Sequence, residues 1–63
     1  MSMPEDLIIK DANDQDSWVN VGCGQIKGIK VATIDSSMEP FITSEQARTI
    51  AKKLNEIAVW LDK

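Results

Sequence analysis

The sequence predicts an α+β fold: a three-stranded antiparallel sheet, rich in β-hairpins, packed on one C-terminal α-helix. Short β-branched stretches separated by turn-forming residues fill the N-terminal half, and an apolar stripe with helical spacing fills the C-terminal half. The chain has 63 residues, which is near the lower limit for a domain that folds alone. We therefore expect residues 1–63 to form one small domain.

The first two strands are predicted at about residues 6–10 and 17–22, with a run of Asn, Asp and Gln between them. Side chains alternate between the two faces of a strand. The second strand therefore places Val19 and Val21 on one face and Trp18 on the other.

The third strand is predicted at about residues 26–34, and its start depends on a glycine-rich stretch, V-G-C-G-Q-I-K-G, over 21–28. This stretch contains all three glycines and the only cysteine. Because glycine tolerates positive φ, we expect Cys23–Gly24 to form a two-residue hairpin turn. The apolar parity shifts after that turn, so a β-bulge near Gly28 is also expected.

The same stretch does not match a phosphate-binding loop. The dinucleotide pattern G-x-G-x-x-G has Lys27 where its third glycine belongs, and the pattern G-x-x-x-x-G-K-[ST] is absent. A nucleophilic role for Cys23 is disfavoured because the chain contains no histidine that could activate the thiol. We expect a structural turn here, no catalytic residue in the chain and no cofactor.

Residues 11–16, D-A-N-D-Q-D, have the acidic character of a calcium-binding loop. In the EF-hand register, however, Asp16 stands where glycine is required and Gly22 where glutamate is required. A zinc site is disfavoured because the chain has one cysteine and no histidine. We expect an acidic, solvated turn and no bound metal.

The C-terminal helix is predicted at about residues 44–61. Thr43 and Gln46 have the spacing of a capping box, and no glycine or proline interrupts the chain after Pro40. Apolar residues then recur at steps of three and four, which is the period of one helix face. These residues are Ala47, Ile50, Ala51, Leu54, Ile57, Ala58 and Leu61.

The net charge of −3 disfavours broad nucleic-acid binding, which requires a basic face. The alternative is a nucleic-acid-associated protein that uses Arg48, Lys52 and Lys53 of the helix. On a helical period, Arg48 and Lys52 share the outer face with Glu45 and Glu56, so that face is mixed in charge.

The end of the helix is the predicted partner-binding surface. An 18-residue helix is ~27 Å long, whereas strands of five or six residues span ~17–20 Å, so the helix should overhang the sheet. The overhang would expose Trp60, Val59 and Leu61 as contacts, with Trp18 as a separate one. The alternative is that both tryptophans complete the small core. A second open face with Trp18 or Ile8 on it would favour pairing with another copy, and we expect a homodimer.

The stretch T-S-E-Q-A-R-T-I-A-K-K-L-N-E-I-A, residues 43–58, resembles a pattern in small uncharacterised bacterial and phage proteins. In those proteins a few strands precede a helix of the form T-x-E-Q-A-x-x-[IL]-A-x-x-L. The resemblance implies a small accessory protein of a bacterium or its phage, and it specifies no site.

The expected function is that of a non-enzymatic binding or regulatory protein that acts by protein–protein contact, for example a phage-encoded or bacterial modulator of a host protein. A single cysteine and no signal-peptide pattern predict a cytoplasmic location. No stretch approaches the ~20 apolar residues of a membrane span, so we expect no membrane partner.

Overall fold

The computed structural model describes residues 2–10 and 17–63. Three strands form one antiparallel sheet in the order β1-β2-β3, and a single C-terminal helix follows, so the predicted α+β fold is confirmed. No helix in the described part of the chain is both long enough and apolar enough to cross a bilayer. The elements are β1 (Leu7–Lys10), β2 (Trp18–Ile26), β3 (Ile29–Ser36) and α1 (Ser44–Leu61).

The hairpin turn lies at Lys27–Gly28, so the predicted turn at Cys23–Gly24 is wrong. Lys27 has φ 52° and Gly28 has φ 81°. Positive φ at both central residues is the backbone of a type I′ turn, whose twist matches that of the flanking strands. The pairing of β2 with β3 is uninterrupted from Val19–Ser36 to Ile26–Ile29, so the expected bulge near Gly28 is also wrong.

The later turn lengthens β2 and moves β3 further along the chain. β2 has 9 residues and ends at Ile26 instead of near residue 22, and β3 has 8 residues and begins at Ile29 instead of near residue 26. A nine-residue strand spans about 30 Å, which matches the ~27 Å of an 18-residue helix. Trp60 at the helix end is also buried, so the expected overhang is wrong.

The helix begins with the capping box that the sequence predicts. The Gln46 N–H donates to the Thr43 hydroxyl oxygen at 3.1 Å, and the Thr43 N–H donates to Oε1 of Gln46 at 2.9 Å. These two bonds satisfy backbone donors that the first turn of a helix cannot pair internally. The helix then runs over Ser44–Leu61.

The core lies between the helix and one face of the sheet. Val19 and Val21 alternate with residues on the other face, and they bury their side chains against Ile57 of the helix. Val21 and Ile57 are fully buried, whereas no polar or charged residue in the described ranges is buried. Part-buried residues that surround this cluster are Leu7, Cys23, Ile50, Leu54 and Leu61.

The helix crosses the sheet diagonally. At its first turn, Nε2 of Gln46 donates to the carbonyl oxygen of Lys10 in β1 at 3.4 Å. At its last turn, the carbonyl oxygen of Trp60 accepts from Nζ of Lys30 in β3 at 3.2 Å. The far end of β3 is therefore left uncovered on the helix side, and Ile34 there is 66% exposed.

The position of the turn predicts that an alanine substitution is destabilising at Gly28 and nearly neutral at Gly24. A methyl group added at Gly24 or at Gly28 would meet nothing within 4 Å, and only Gly28 has positive φ. Gly28→Ala should lower the free energy of unfolding by about 1–2 kcal/mol, which is the cost of a left-handed conformation for an L-residue. Gly24→Ala should change it by less than about 0.5 kcal/mol, because neither strain nor a clash arises. Urea unfolding of both variants measures the difference. A larger loss of stability in Gly24→Ala would support the turn predicted at Cys23–Gly24.

Candidate functional site

The four residues predicted as partner contacts lie on two different faces. Trp60 is only 6% exposed, Leu61 is part-buried against the core, and Val59 between them is 52% exposed. Trp18 precedes the core residue Val19, so its part-buried side chain lies on the sheet face opposite the helix. The structure therefore brings Val59 and Trp60 together and keeps Trp18 apart, and the binding role of all four stays a prediction.

Lys30 holds the end of the helix against the sheet. Its ammonium group donates to the Trp60 carbonyl oxygen at 3.2 Å and lies 5.1 Å from the centroid of the Trp60 ring. The last turn of the helix contains no basic residue of its own. A cation near the C-terminus of a helix interacts favourably with the helix dipole, so Lys30 supplies from β3 the charge that the helix lacks.

A cleft of about 510 Å³ lies between residues 2–5 and the second half of the helix. Trp60 and Val59 line it together with the ion pair of Lys53 and Glu56, whose Nζ and Oε2 atoms are 2.8 Å apart. The charges of this pair cancel. The helix therefore contributes both polar and apolar side chains, but no net charge, to the lining of the cleft.

Cys23 is part-buried in β2, and its thiol donates to the carbonyl oxygen of Pro4 at 3.5 Å. This weak bond helps to hold the N-terminal segment over the sheet. Among the described residues, no group of three or more His, Cys, Asp or Glu side chains could hold a metal ion. The acidic turn predicted over 11–16 lies outside the described residues.

The basic residues of the alternative nucleic-acid surface are not equivalent in the structure. Lys53 pairs with Glu56 at 2.8 Å, whereas Arg48 and Lys52 are exposed on the helix. Two exposed cations beside several acids do not make the basic face that phosphate binding requires.

The segment that joins β3 to α1 exposes large apolar side chains that the sequence analysis did not select. Met38 is 93% exposed, Phe41 is 74% exposed and Ile42 is also exposed. We define the connection patch as these three residues together with Ile34. Met38 and Phe41 fit no helical or strand periodicity in the sequence. The signal that could have identified them was the presence of large apolar residues beside Pro40, in a segment between two predicted elements.

The connection patch is held at both ends. On the β3 side, the Ser37 N–H donates to the Trp18 carbonyl oxygen at 3.0 Å, and the Trp18 N–H donates to the Ser37 hydroxyl oxygen at 2.9 Å. On the helix side, the capping box of Thr43 fixes the first turn. Glu39 turns the chain between them with φ 47°. The segment that carries the exposed side chains is thus anchored at both of its ends.

The face of the sheet opposite the helix also exposes apolar side chains, but in two separate places. Ile8 lies near one end, and Ile26 and Ile29 lie at the hairpin turn. In the middle of this face, Val31 stands opposite Gly24, and the Asp6 carboxylate lies over Gly22. The carboxylate therefore interrupts the apolar surface on this face.

Comparison with known proteins gives no match: no protein-family model, no curated protein and no solved structure is significantly similar to the chain.

The contact of Lys30 with Trp60 predicts a stabilising role for this lysine. Lys30→Met keeps an unbranched apolar stem but removes the ammonium group, and it should lower the free energy of unfolding by about 1 kcal/mol. Lys52→Met is the matched control, because Lys52 is exposed on the helix, and it should change stability by less than about 0.5 kcal/mol. Thermal unfolding at low and high salt measures both variants, and equal losses would contradict the role of Lys30.

Proposed function

We propose that this chain is a non-enzymatic binding or regulatory protein that acts by protein–protein contact, as a homodimer in the cytoplasm. A phage-encoded or bacterial modulator of a host protein is the form of this function that the resemblance of residues 43–58 favours. The observation that supports contact-based function most strongly is the connection patch, which exposes four large apolar side chains within nine residues, Ile34 to Ile42.

Exposed apolar side chains on a small domain support this proposal because they cost solubility unless a partner covers them. Exposed apolar residues that are grouped mark a site of interaction more often than single scattered ones do, and these four residues lie close together in the sequence. Aromatic side chains such as Phe41 are common anchors of protein interfaces, since they bury a large area at a low cost in conformational entropy.

The anchoring of the connection patch adds a second argument. A binding surface that is already ordered loses little conformational entropy when the partner arrives. The bonds between Ser37 and Trp18, and the capping box at Thr43, anchor the two ends of this segment and so limit the conformations it can lose on binding. We infer that Phe41 is the central contact, with Met38 and Ile42 beside it.

Phe41→Ser tests this proposal against the helix-end surface predicted from the sequence. Affinity capture from a bacterial lysate would compare wild type, Phe41→Ser and Val59→Ser, because both positions are more than half exposed and neither is in the core. We expect one protein to be retained by wild type and Val59→Ser and lost by Phe41→Ser, since removal of an aromatic anchor costs about 2 kcal/mol or more.

The other results of this capture each have a defined meaning. Loss with Val59→Ser alone would move the contact surface to the helix end. Retention that disappears steeply with salt, and that depends on Arg48 and Lys52, would favour the nucleic-acid alternative. An identical set of captured proteins for all three chains would contradict contact through either surface.

A further inference from the structure

The outer edge of β3 is a long row of backbone groups that could pair with another strand. In the order β1-β2-β3, β3 is an edge strand of 8 residues, and no strand among the described residues pairs with its outer side. The five residues 32–36 are all exposed. The opposite edge, β1, has only 4 residues. Proteins protect sheet edges by keeping them short, bulged or charged, and β3 is neither short nor bulged.

The hydrogen bonds at one end of β3 show which of its groups face outward. The Ser37 N–H donates inward to the carbonyl oxygen of Trp18. Residues of an antiparallel edge strand alternate between inward and outward bonding. Residues 29, 31, 33 and 35 therefore bond toward β2, and the backbone groups of residues 30, 32, 34 and 36 face outward.

One of these four outward positions is already occupied. The Ser36 N–H donates to Oδ1 of the neighbouring Asp35 at 2.9 Å. Within the described ranges, no bond is formed by the outward backbone groups of Lys30, Ala32 and Ile34. The pairing capacity of the edge is therefore centred on Ala32.

The only lysine of β3 does not protect this edge. A lysine on an edge strand discourages pairing when its charge stays at the edge. The ammonium group of Lys30 instead lies on the helix side, where it donates to the Trp60 carbonyl oxygen at 3.2 Å. The contact that stabilises the end of the helix thus removes the charge from the edge.

We propose that β3 of one copy pairs antiparallel with β3 of a second copy, about a two-fold axis at Ala32, to form a continuous six-stranded sheet. This inference rests on the homodimer of the proposed function and specifies its interface. A two-fold axis perpendicular to the sheet keeps both helices on the same side, so paired residues must share a face. With the axis at Ala32, Lys30 pairs with the second copy's Ile34, and about six hydrogen bonds form between unpaired groups.

The side chains fit this register. Ile34 is 66% exposed on the helix side of the sheet, and the aliphatic stem of the second copy's Lys30 would cover it. Ala32 has a small side chain, so the two copies can approach closely at the axis, where the Ala32 side chains of both copies meet.

The open face of the sheet fits a second copy less well. Its apolar residues are divided between Ile8 at one end and the hairpin turn at the other. At its centre, Val31 stands opposite Gly24, and the Asp6 carboxylate lies over Gly22. A face-to-face dimer would therefore bury this carboxylate, whereas the edge pairing forms hydrogen bonds between unpaired backbone groups.

Proline substitution distinguishes pairing through β3 from pairing through β1. Ala32→Pro removes an outward N–H, which proline tolerates on an edge strand, and should raise the dissociation constant of the dimer at least about tenfold. Ile8→Pro is the matched control. The backbone groups of Leu7 and Ile9 bond to Val21 and Val19 of β2. The Ile8 N–H between them therefore faces outward from the edge of β1. Light scattering over a concentration series should show that Ile8→Pro remains a dimer. Circular dichroism checks that both variants fold.

A distance measurement tests the same interface without a substitution on β3. Nitroxide labels on Ile8→Cys, in a Cys23→Ser background, report the separation of the two β1 strands. Ile8 is in register with Asn20 and hence with Asp35. Five strand spacings and an offset of three residues on each side of the axis give roughly 30 Å between the two positions. Pairing through β1, or packing of the open faces, would give less than about 20 Å.

The possible outcomes distinguish this inference from the proposed function. A dimer that Ala32→Pro dissociates, with labels near 30 Å, supports the β3 interface. A dimer with a short distance, or one that only Ile8→Pro dissociates, overturns the β3 interface and leaves the homodimer intact. A wild-type monomer at every concentration overturns both the interface and the homodimer, and the contact function then depends on the Phe41 comparison alone.

Discussion

The turn at Lys27–Gly28 is the constraint on which the rest of the fold depends. Positive φ at both residues closes the hairpin with Ile26 opposite Ile29, and this pair fixes every other pair of β2 and β3. A shift of one residue would move Val19 and Val21 from the core to the other face of the sheet. The length of both strands follows from the same turn, and so does the match between the sheet and the helix.

The contact between Lys30 and Trp60 links the two layers of the fold. Trp60 is buried because the sheet extends beneath the end of the helix. Lys30 donates to the Trp60 carbonyl oxygen because the hairpin register places this lysine on the helix side. The diagonal path of the helix is anchored by this contact at one end and by Gln46 with Lys10 at the other. Ile34 is exposed because that path leaves its end of β3 uncovered.

A domain of this size has too little interior for all its apolar residues. Its surface to volume ratio is high, and one helix covers only one face of a three-stranded sheet. The apolar residues that remain outside are not spread evenly: six of the nine large exposed ones lie in the connection patch or at the hairpin turn. This distribution is what favours a function based on contact, with the edge of β3 as the surface for a second copy and Met38, Phe41 and Ile42 as the surface for another protein.

The sequence by itself determined the fold class, the helix and the alternation of Val19 and Val21, because capping boxes and periodic apolar patterns are local signals. It left the turn ambiguous, since three glycines within eight residues offered more than one site of positive φ, and the local preference of glycine does not say which one pairs the strands correctly. Only the tertiary structure decided that point, through the pairing of Ile26 with Ile29 and the burial of Val21 against Ile57. It also decided that Trp60 is buried and Phe41 is exposed, because the exposure of a side chain depends on which elements cross over it and not on its own hydrophobicity.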